Sequence, residues 1–151
     1  MPSGSVSTTI NRPPDVVWAT ISDITQIGRW SPECVAGRWI DGADGPVVGA
    51  QFEGDNVAKL AGRTVKRWTT TSAVTASEPG VIFEFVAEHH STWRYELAPV
   101  AGGTRVTESF DYESTGLRKF MYDTVLRRSR MITKGMQETL ARIKSALESD
   151  A

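Results

Sequence analysis

Pro13-Pro14-Asp15-Val16-Val17-Trp18-Ala19-Thr20-Ile21-Ser22-Asp23 is the stretch whose reading decides the fold. Two prolines suit a first helical turn, where no N–H partner is needed and φ is already right. Asp15 puts a carboxylate where the helix dipole favours it. Val17, Trp18 and Ile21 then form one apolar face. Asp23 is placed to cap a second short helix over Ile24 to Ile27, with Gly28 stopping it. Before the prolines, Ser5 to Ile10 alternates as a strand does.

Beyond Trp30-Ser31-Pro32-Glu33 the period changes to two. Strands are expected near 34–41, 48–57, 63–76, 81–88, 92–98 and 104–113. Turn chemistry separates them: Asp41 to Pro46, Ala61-Gly62, Glu78-Pro79-Gly80, a kink near His89-His90, and Ala101-Gly102-Gly103. Such short connections imply an antiparallel meander. From Thr115 to about Leu147 the period is helical. Leu117, Met121, Val125, Ile132, Met136, Leu140, Ile143 and Leu147 fall on one slowly drifting stripe. Roughly 30 helical residues span ~45 Å, enough to cross a sheet of this size. Gly135 beside the stripe would permit close approach to the sheet or loosen the helix. The expected class is α+β: a curved antiparallel sheet around a long C-terminal helix, with two short helices after the first strand, as one domain over 1–151.

Composition narrows the function classes. The 151 residues carry 40% hydrophobic and 23% charged side chains and a net charge of −1, so no overall field favours nucleic acid. The single cysteine, Cys34, excludes an internal disulfide and a Cys-rich zinc site. No apolar run approaches the ~20 residues of a membrane span. The first residues have neither a basic nor an apolar leader region, and a cytoplasmic protein is expected.

Several motifs then resemble a known family. They are Pro14-x-x-Val17-Trp18-x-x-Ile21-x-Asp23, Gly28-Arg29-Trp30-Ser31-Pro32-Glu33, Gly49-x-x-Phe52-x-Gly54-x-Asn56, Gly102-Gly103-Thr104-x-Val106-Thr107-Glu108, and the terminal helix. Together they resemble the START-like (SRPBCC) superfamily, in its polyketide cyclase/dehydrase-type branch common in actinobacteria. The resemblance covers nearly the whole chain. It implies the helix-grip fold, with a ligand cavity between sheet and helix. Relatives range from aromatase/cyclases to lipid carriers, so it leaves the reaction and the ligand open.

Strand alternation sorts the faces. With Glu84, Glu88, Arg94 and Glu96 outward, Val81, Phe83, Phe85, Trp93, Tyr95 and Leu97 point inward. Phe52 brings Gly54 and Asn56 with it, Trp68 shares a face with Val74, and Val106, Phe110 and Tyr112 bring Glu108. Asn56 and Glu108 are the polar exceptions, and an inward polar group needs a partner. Glu108 either meets the cavity or escapes to solvent at a strand end or bulge. Arg128 falls within the helical stripe. It either pairs with Glu108 or a ligand's acid group, or snorkels to water.

Other motifs carry less. His89 and His90 point to opposite strand faces and chelate poorly. Asp41, Asp44, Glu53 and Asp55 lack calcium-loop spacing. Lys119, Arg127, Arg130 and Lys134 form a basic helix side, a solvated face that could also touch acidic headgroups transiently. Cys34 reads as an inert thiol. Neither a metal nor a cofactor is expected.

Two functions follow. In the first, Phe52, Trp68, Phe83, Phe85, Trp93, Tyr95 and Phe110, closed by Leu117, Met121 and Val125, wall a chamber for a small hydrophobic ligand: a lipid, fatty acid, polyketide or isoprenoid. Asn56 and Glu108 orient its polar end, and Trp30 and Glu33 with the 57–62 hairpin form the mouth. In the second, a cyclase, aromatase or dehydratase uses Glu108 as base and Asn56, Tyr95 or Arg128 as donor. A third possibility is an interior closed by its own side chains, with action through a protein partner.

Overall fold

The computed structural model describes residues 3–112 and 122–149, and side chains over 4–111 and 130–149. The chain runs β1 (Ser3–Ile10), α1 (Pro14–Ser22), a 3-10 helix (Ile24–Arg29), β2 (Cys34–Ile40), β3 (Gln51–Leu60), β4 (Arg63–Glu78), β5 (Ile82–Ala87), β6 (Ser91–Val100), β7 (Gly103–Tyr112) and α2 (Tyr122–Ser149). All neighbouring strands are antiparallel, in the order β1-β7-β6-β5-β4-β3-β2. Strands β2 to β7 are thus the expected meander, and β1 closes the far edge against β7.

Three register shifts bend the sheet: Cys34/Ala36 in β2, Ala58/Lys59 in β3 and Val74/Ala76 in β4. Each breaks the ladder locally and increases the strand's twist, and together they curl this half of the sheet. The β3–β4 hairpin turns on Ala61 (φ 53°) and Gly62 (φ 80°), two successive left-handed residues whose twist matches that of the strands they join.

The expected helix starts hold. Pro14 opens α1, and Asp23 Oδ1 accepts the Thr25 N–H at 3.2 Å at the head of the 3-10 helix. That helix runs to Arg29, so Gly28 does not stop it. Packing explains the glycines instead. A Cβ on Gly28 would lie 2.1 Å from the Val35 carbonyl oxygen, and one on Gly37 would lie 2.3 Å from that of Ile24. The 3-10 helix therefore sits backbone-to-backbone on β2. Trp18 of α1 donates its indole N–H to the Ile82 carbonyl at 2.8 Å, which ties α1 to the sheet.

The described part of α2 fills only one end of the sheet's concave face. Leu140, Ile143 and Leu147 pack with Ile10, Val17, Ile21, Val74, Phe83, Leu97 and Val106 in a continuous core. Lys144 donates to the Thr9 carbonyl at 2.6 Å, and Arg12 to that of Leu147 at 3.0 Å, holding this end of the helix to β1.

Three expectations need correction. Val81 precedes β5 and is 46% exposed, because the turn at Gly80 ends outside the ladder. Strand β3 begins at Gln51, leaving Val47 and Val48 exposed in the preceding loop. Gly135 approaches no sheet backbone; a Cβ added to it would meet Pro32 Cγ at 3.6 Å, an ordinary contact.

The tight seat of the 3-10 helix gives a direct test. Gly37→Ala should destabilise the protein by about 1–3 kcal/mol, the range for overpacking. Urea unfolding of both proteins measures it; equal midpoints would contradict the packing described.

Candidate functional site

The open end of the sheet–helix interface is a cavity of about 560 Å³. Its sheet wall is aromatic. Phe52 stands edge-on to Phe85 with ring centroids 5.1 Å apart, and Phe83 meets Phe85 at 5.7 Å. Trp68 and Trp93 line it further along, and Lys66 lies over the Trp68 ring at 5.4 Å. Met131, Ile132, Gly135, Met136, Thr139 and Ile143 of α2 form the helix wall. Ser31, Pro32 and Glu33 line it together with Val57, Ala58 and Lys59, the two segments joined by a hydrogen bond from the Val57 N–H to the Glu33 carbonyl at 2.9 Å.

Glu108 and Tyr95 are paired directly across β7 and β6, so both side chains fall on the concave face. The Tyr95 hydroxyl donates to Glu108 Oε2 at 2.9 Å. Glu108 Oε1 has no hydrogen-bond partner among the described residues. Burial pushes the Glu108 carboxyl up to about 8, against a smaller lowering by the Tyr95 hydrogen bond. Burial, and then the carboxyl beside it, raises Tyr95 well above its ordinary value, so the phenol keeps its proton. At neutral pH Glu108 is mainly the neutral acid. With Oε2 accepting from Tyr95, the acid proton belongs on Oε1.

A second cavity-lining group is also unpaired among the described residues: the buried indole N–H of Trp30. Asn56 is differently placed. Its amide nitrogen donates to the Gly54 carbonyl, the Trp68 carbonyl and Thr70 Oγ1 at 3.2, 3.4 and 3.1 Å, so it braces β3 against β4. Cys34 also lines the cavity, but burial raises its thiol to about 11, leaving a weak nucleophile.

The cavity thus brings together Trp30, Glu33, Phe52, Asn56, Trp68, Phe83, Phe85, Trp93, Tyr95 and Glu108 of the residues singled out in sequence. Phe110 is buried beside Trp93 on the adjacent strand, with centroids 5.7 Å apart, and is not among the residues that line the cavity. Leu117 and Met121 lie outside the described residues. Val125 and Arg128 belong to α2, but their side chains, and hence any Arg128–Glu108 pairing, lie outside the described residues, as do the side chains of Tyr112, Lys119 and Arg127. The helix wall that is described sits further along the stripe, at 131–143. Thr70 and Ser72 were missed, although alternation from Trp68 to Val74 places them on the same face.

The remaining motifs carry no site chemistry. Glu88 and His89 turn the chain with φ of 52° and 63°, leaving both histidines exposed. Glu53 and Asp55 are bound to Arg38 at 3.0 and 2.9 Å, which dissolves the acidic cluster. Among the described residues no group of three or more His, Cys, Asp or Glu side chains could hold a metal, and no helix is long and apolar enough to cross a membrane.

Residues 1–148 match the family model described as polyketide cyclase / dehydrase and lipid transport. The chain is similar to the polyketide cyclase-like protein Cgl2372 of Corynebacterium glutamicum, at 34% identity and a TM-score of 0.69, over 99% of this chain and 95% of that one. It is also similar to an AHSA1-like protein of Aeromonas hydrophila, at 24% identity and a TM-score of 0.67, over 98% and 93%. The di-domain aromatase/cyclase StfQ of the steffimycin biosynthetic pathway shares the fold at 12% identity and a TM-score of 0.77, over 99% of this chain and 51% of StfQ. No curated protein matches.

The raised Glu108 value has a definite sign in stability. Unfolded, the group ionises near 4.5; folded, near 8. Its contribution is whole below about 4.5, declines as the pH rises, and is lost once the pH has passed about 8. Inside that window the stability of the parent relative to Glu108→Gln should fall by about 1.4 kcal/mol per pH unit. Urea unfolding across the pH range reads this; parallel profiles would refute it.

Proposed function

This chain belongs to the polyketide cyclase / dehydrase and lipid transport family, and from that premise we propose that it binds or carries a small hydrophobic molecule between the sheet and α2. The observation that carries this reading is the aromatic chamber with one neutral, half-satisfied carboxyl in its wall. Its volume lies within the ~300–1,000 Å³ of small-molecule sites. An interior filled by its own side chains loses support from the same volume.

The polar groups narrow the guest. Glu108 Oε1–H and the Trp30 indole N–H are both donors, and each lacks a partner among the described residues. A guest oxygen that accepts from either relieves the penalty of a buried unpaired group. A carboxylate guest would place a second acid beside Glu108, so a ketone, ester or hydroxyl compound fits better than a fatty acid anion.

A second reading is catalysis of the cyclase or dehydratase kind, favoured by the near-neutral value of Glu108. A group titrating near 8 protonates a carbonyl oxygen or leaving hydroxyl readily. It is the base in roughly one molecule in ten at pH 7. Glu108 therefore enters this reading first as acid, and as base only in its ionised minority. The resemblance to StfQ is consistent with this reading at the level of fold.

Tryptophan quenching tests the binding reading, with 2-dodecanone and dodecanoate as probes of one chain length. The ketone should bind more tightly than the carboxylate at neutral pH. Glu108→Gln keeps a donor and should bind the ketone within a few-fold of the parent, whereas Glu108→Leu should weaken it about tenfold. Ser72→Phe, which pushes a ring into the cavity, should abolish binding of both. Equal binding by parent and Ser72→Phe would remove the cavity from the binding site. If a substrate is found, Glu108→Gln should suppress turnover while sparing affinity.

A further inference from the structure

The tip of the β3–β4 hairpin combines two features that the cavity does not explain. Leu60 is 70% exposed and Val65 is 62% exposed, two aliphatic side chains held in water at the end of a two-residue turn. Around them lie Lys59, Arg63, Lys66 and Arg67, with no acidic residue between positions 58 and 67. In a chain whose net charge is −1, this is a strong local excess of positive charge. The other exposed aliphatic pair, Val47 and Val48, follows Asp41 and Asp44 instead and lacks such a collar.

We propose that the β3–β4 hairpin tip docks on an anionic lipid surface, with Leu60 and Val65 entering the headgroup layer and Arg63 and Arg67 among the basic residues meeting lipid phosphates. Charge complementarity selects the occupant. Cations on long stems reach the phosphates while the aliphatic tip enters between them. An acidic protein surface would satisfy the cations but gains less from two isolated aliphatic side chains.

The placement gives the docking a purpose. Val57, Ala58 and Lys59, at the root of the same tip, line the cavity, and the Val57 N–H is bonded to the Glu33 carbonyl opposite. Met131 of α2, 61% exposed, lines the cavity as well. A molecule leaving the bilayer would meet an apolar entrance at the membrane surface. This purpose rests on the carrier reading; the docking itself rests on the hairpin's own chemistry.

Sedimentation of the guest-free protein with vesicles separates the two. The vesicles are phosphatidylcholine alone, or phosphatidylcholine mixed with phosphatidylglycerol. The parent should sediment with the mixed vesicles, much less with phosphatidylcholine alone, and less as salt is raised. Arg63→Gln with Arg67→Gln should weaken partitioning at least tenfold, from about fivefold for each charge removed. Leu60→Ser with Val65→Ser should weaken it comparably. None of these four residues lines the cavity, so ketone binding should be unchanged, and thermal melts confirm that the variants fold. Absence of sedimentation with anionic vesicles overturns the proposal. So does partitioning that the substitutions leave unaltered, or capture by the headgroups' charge alone with no effect of the serine substitutions. If the parent docks but binds no ketone, the hairpin proposal stands and the carrier reading fails.

Discussion

A carboxyl group enclosed with a phenol on the concave face of the sheet constrains much of what surrounds it. Glu108 and Tyr95 are opposed in the β6–β7 register, so a one-residue slip between the two strands would put them on opposite faces and break the pair. Their hydrogen bond satisfies one carboxyl oxygen and leaves the other unsatisfied among the described residues. Desolvation then favours the neutral acid, against the smaller lowering by the Tyr95 hydrogen bond. A structure that bears such a group at a cavity wall gives up stability that a leucine there would supply.

Ile143 of α2 belongs both to the core and to the cavity wall. At one end Leu140, Ile143 and Leu147 meet a continuous core, and backbone carbonyls of β1 and α2 are tied by Lys144 and Arg12. Register shifts interrupt the β2–β3, β3–β4 and β4–β5 ladders, among strands that carry Cys34, Phe52 and Trp68 of the cavity wall. Gly135 faces Pro32, with only a proline ring near it.

Most of the architecture was legible in the sequence because its signals are local. Pro13-Pro14, Asp23 and the paired left-handed turn at Ala61-Gly62 act on their own backbone, and alternation assigns Phe52, Phe83, Tyr95, Val106 and Glu108 to one face without tertiary information. What was not legible depends on distant partners. Gly28 resembled a helix stop, yet its role is to let Val35 come close. Asn56 lines the cavity as alternation placed it, while its amide nitrogen is taken up by Gly54 of its own strand and by Trp68 and Thr70 of β4, partners that alternation does not reveal. The acidic cluster lost its meaning once Arg38 crossed from β2. Alternation placed Phe110 inward correctly but could not tell a residue that lines the cavity from one that does not, and helical periodicity could not say which turns of the stripe face space and which face the core.

Both proposed functions turn on Glu108 being a neutral acid in its resting state. The most direct measurement is the pH titration of its side-chain carboxyl carbon by ¹³C NMR, assigned by comparison with Glu108→Gln. A midpoint near 8 is expected, rising further when 2-dodecanone is bound, since an accepting guest stabilises the protonated form. A midpoint near the ordinary carboxylate value would mean a charged, solvated or paired Glu108, and would contradict both the neutral-guest reading and the acid role.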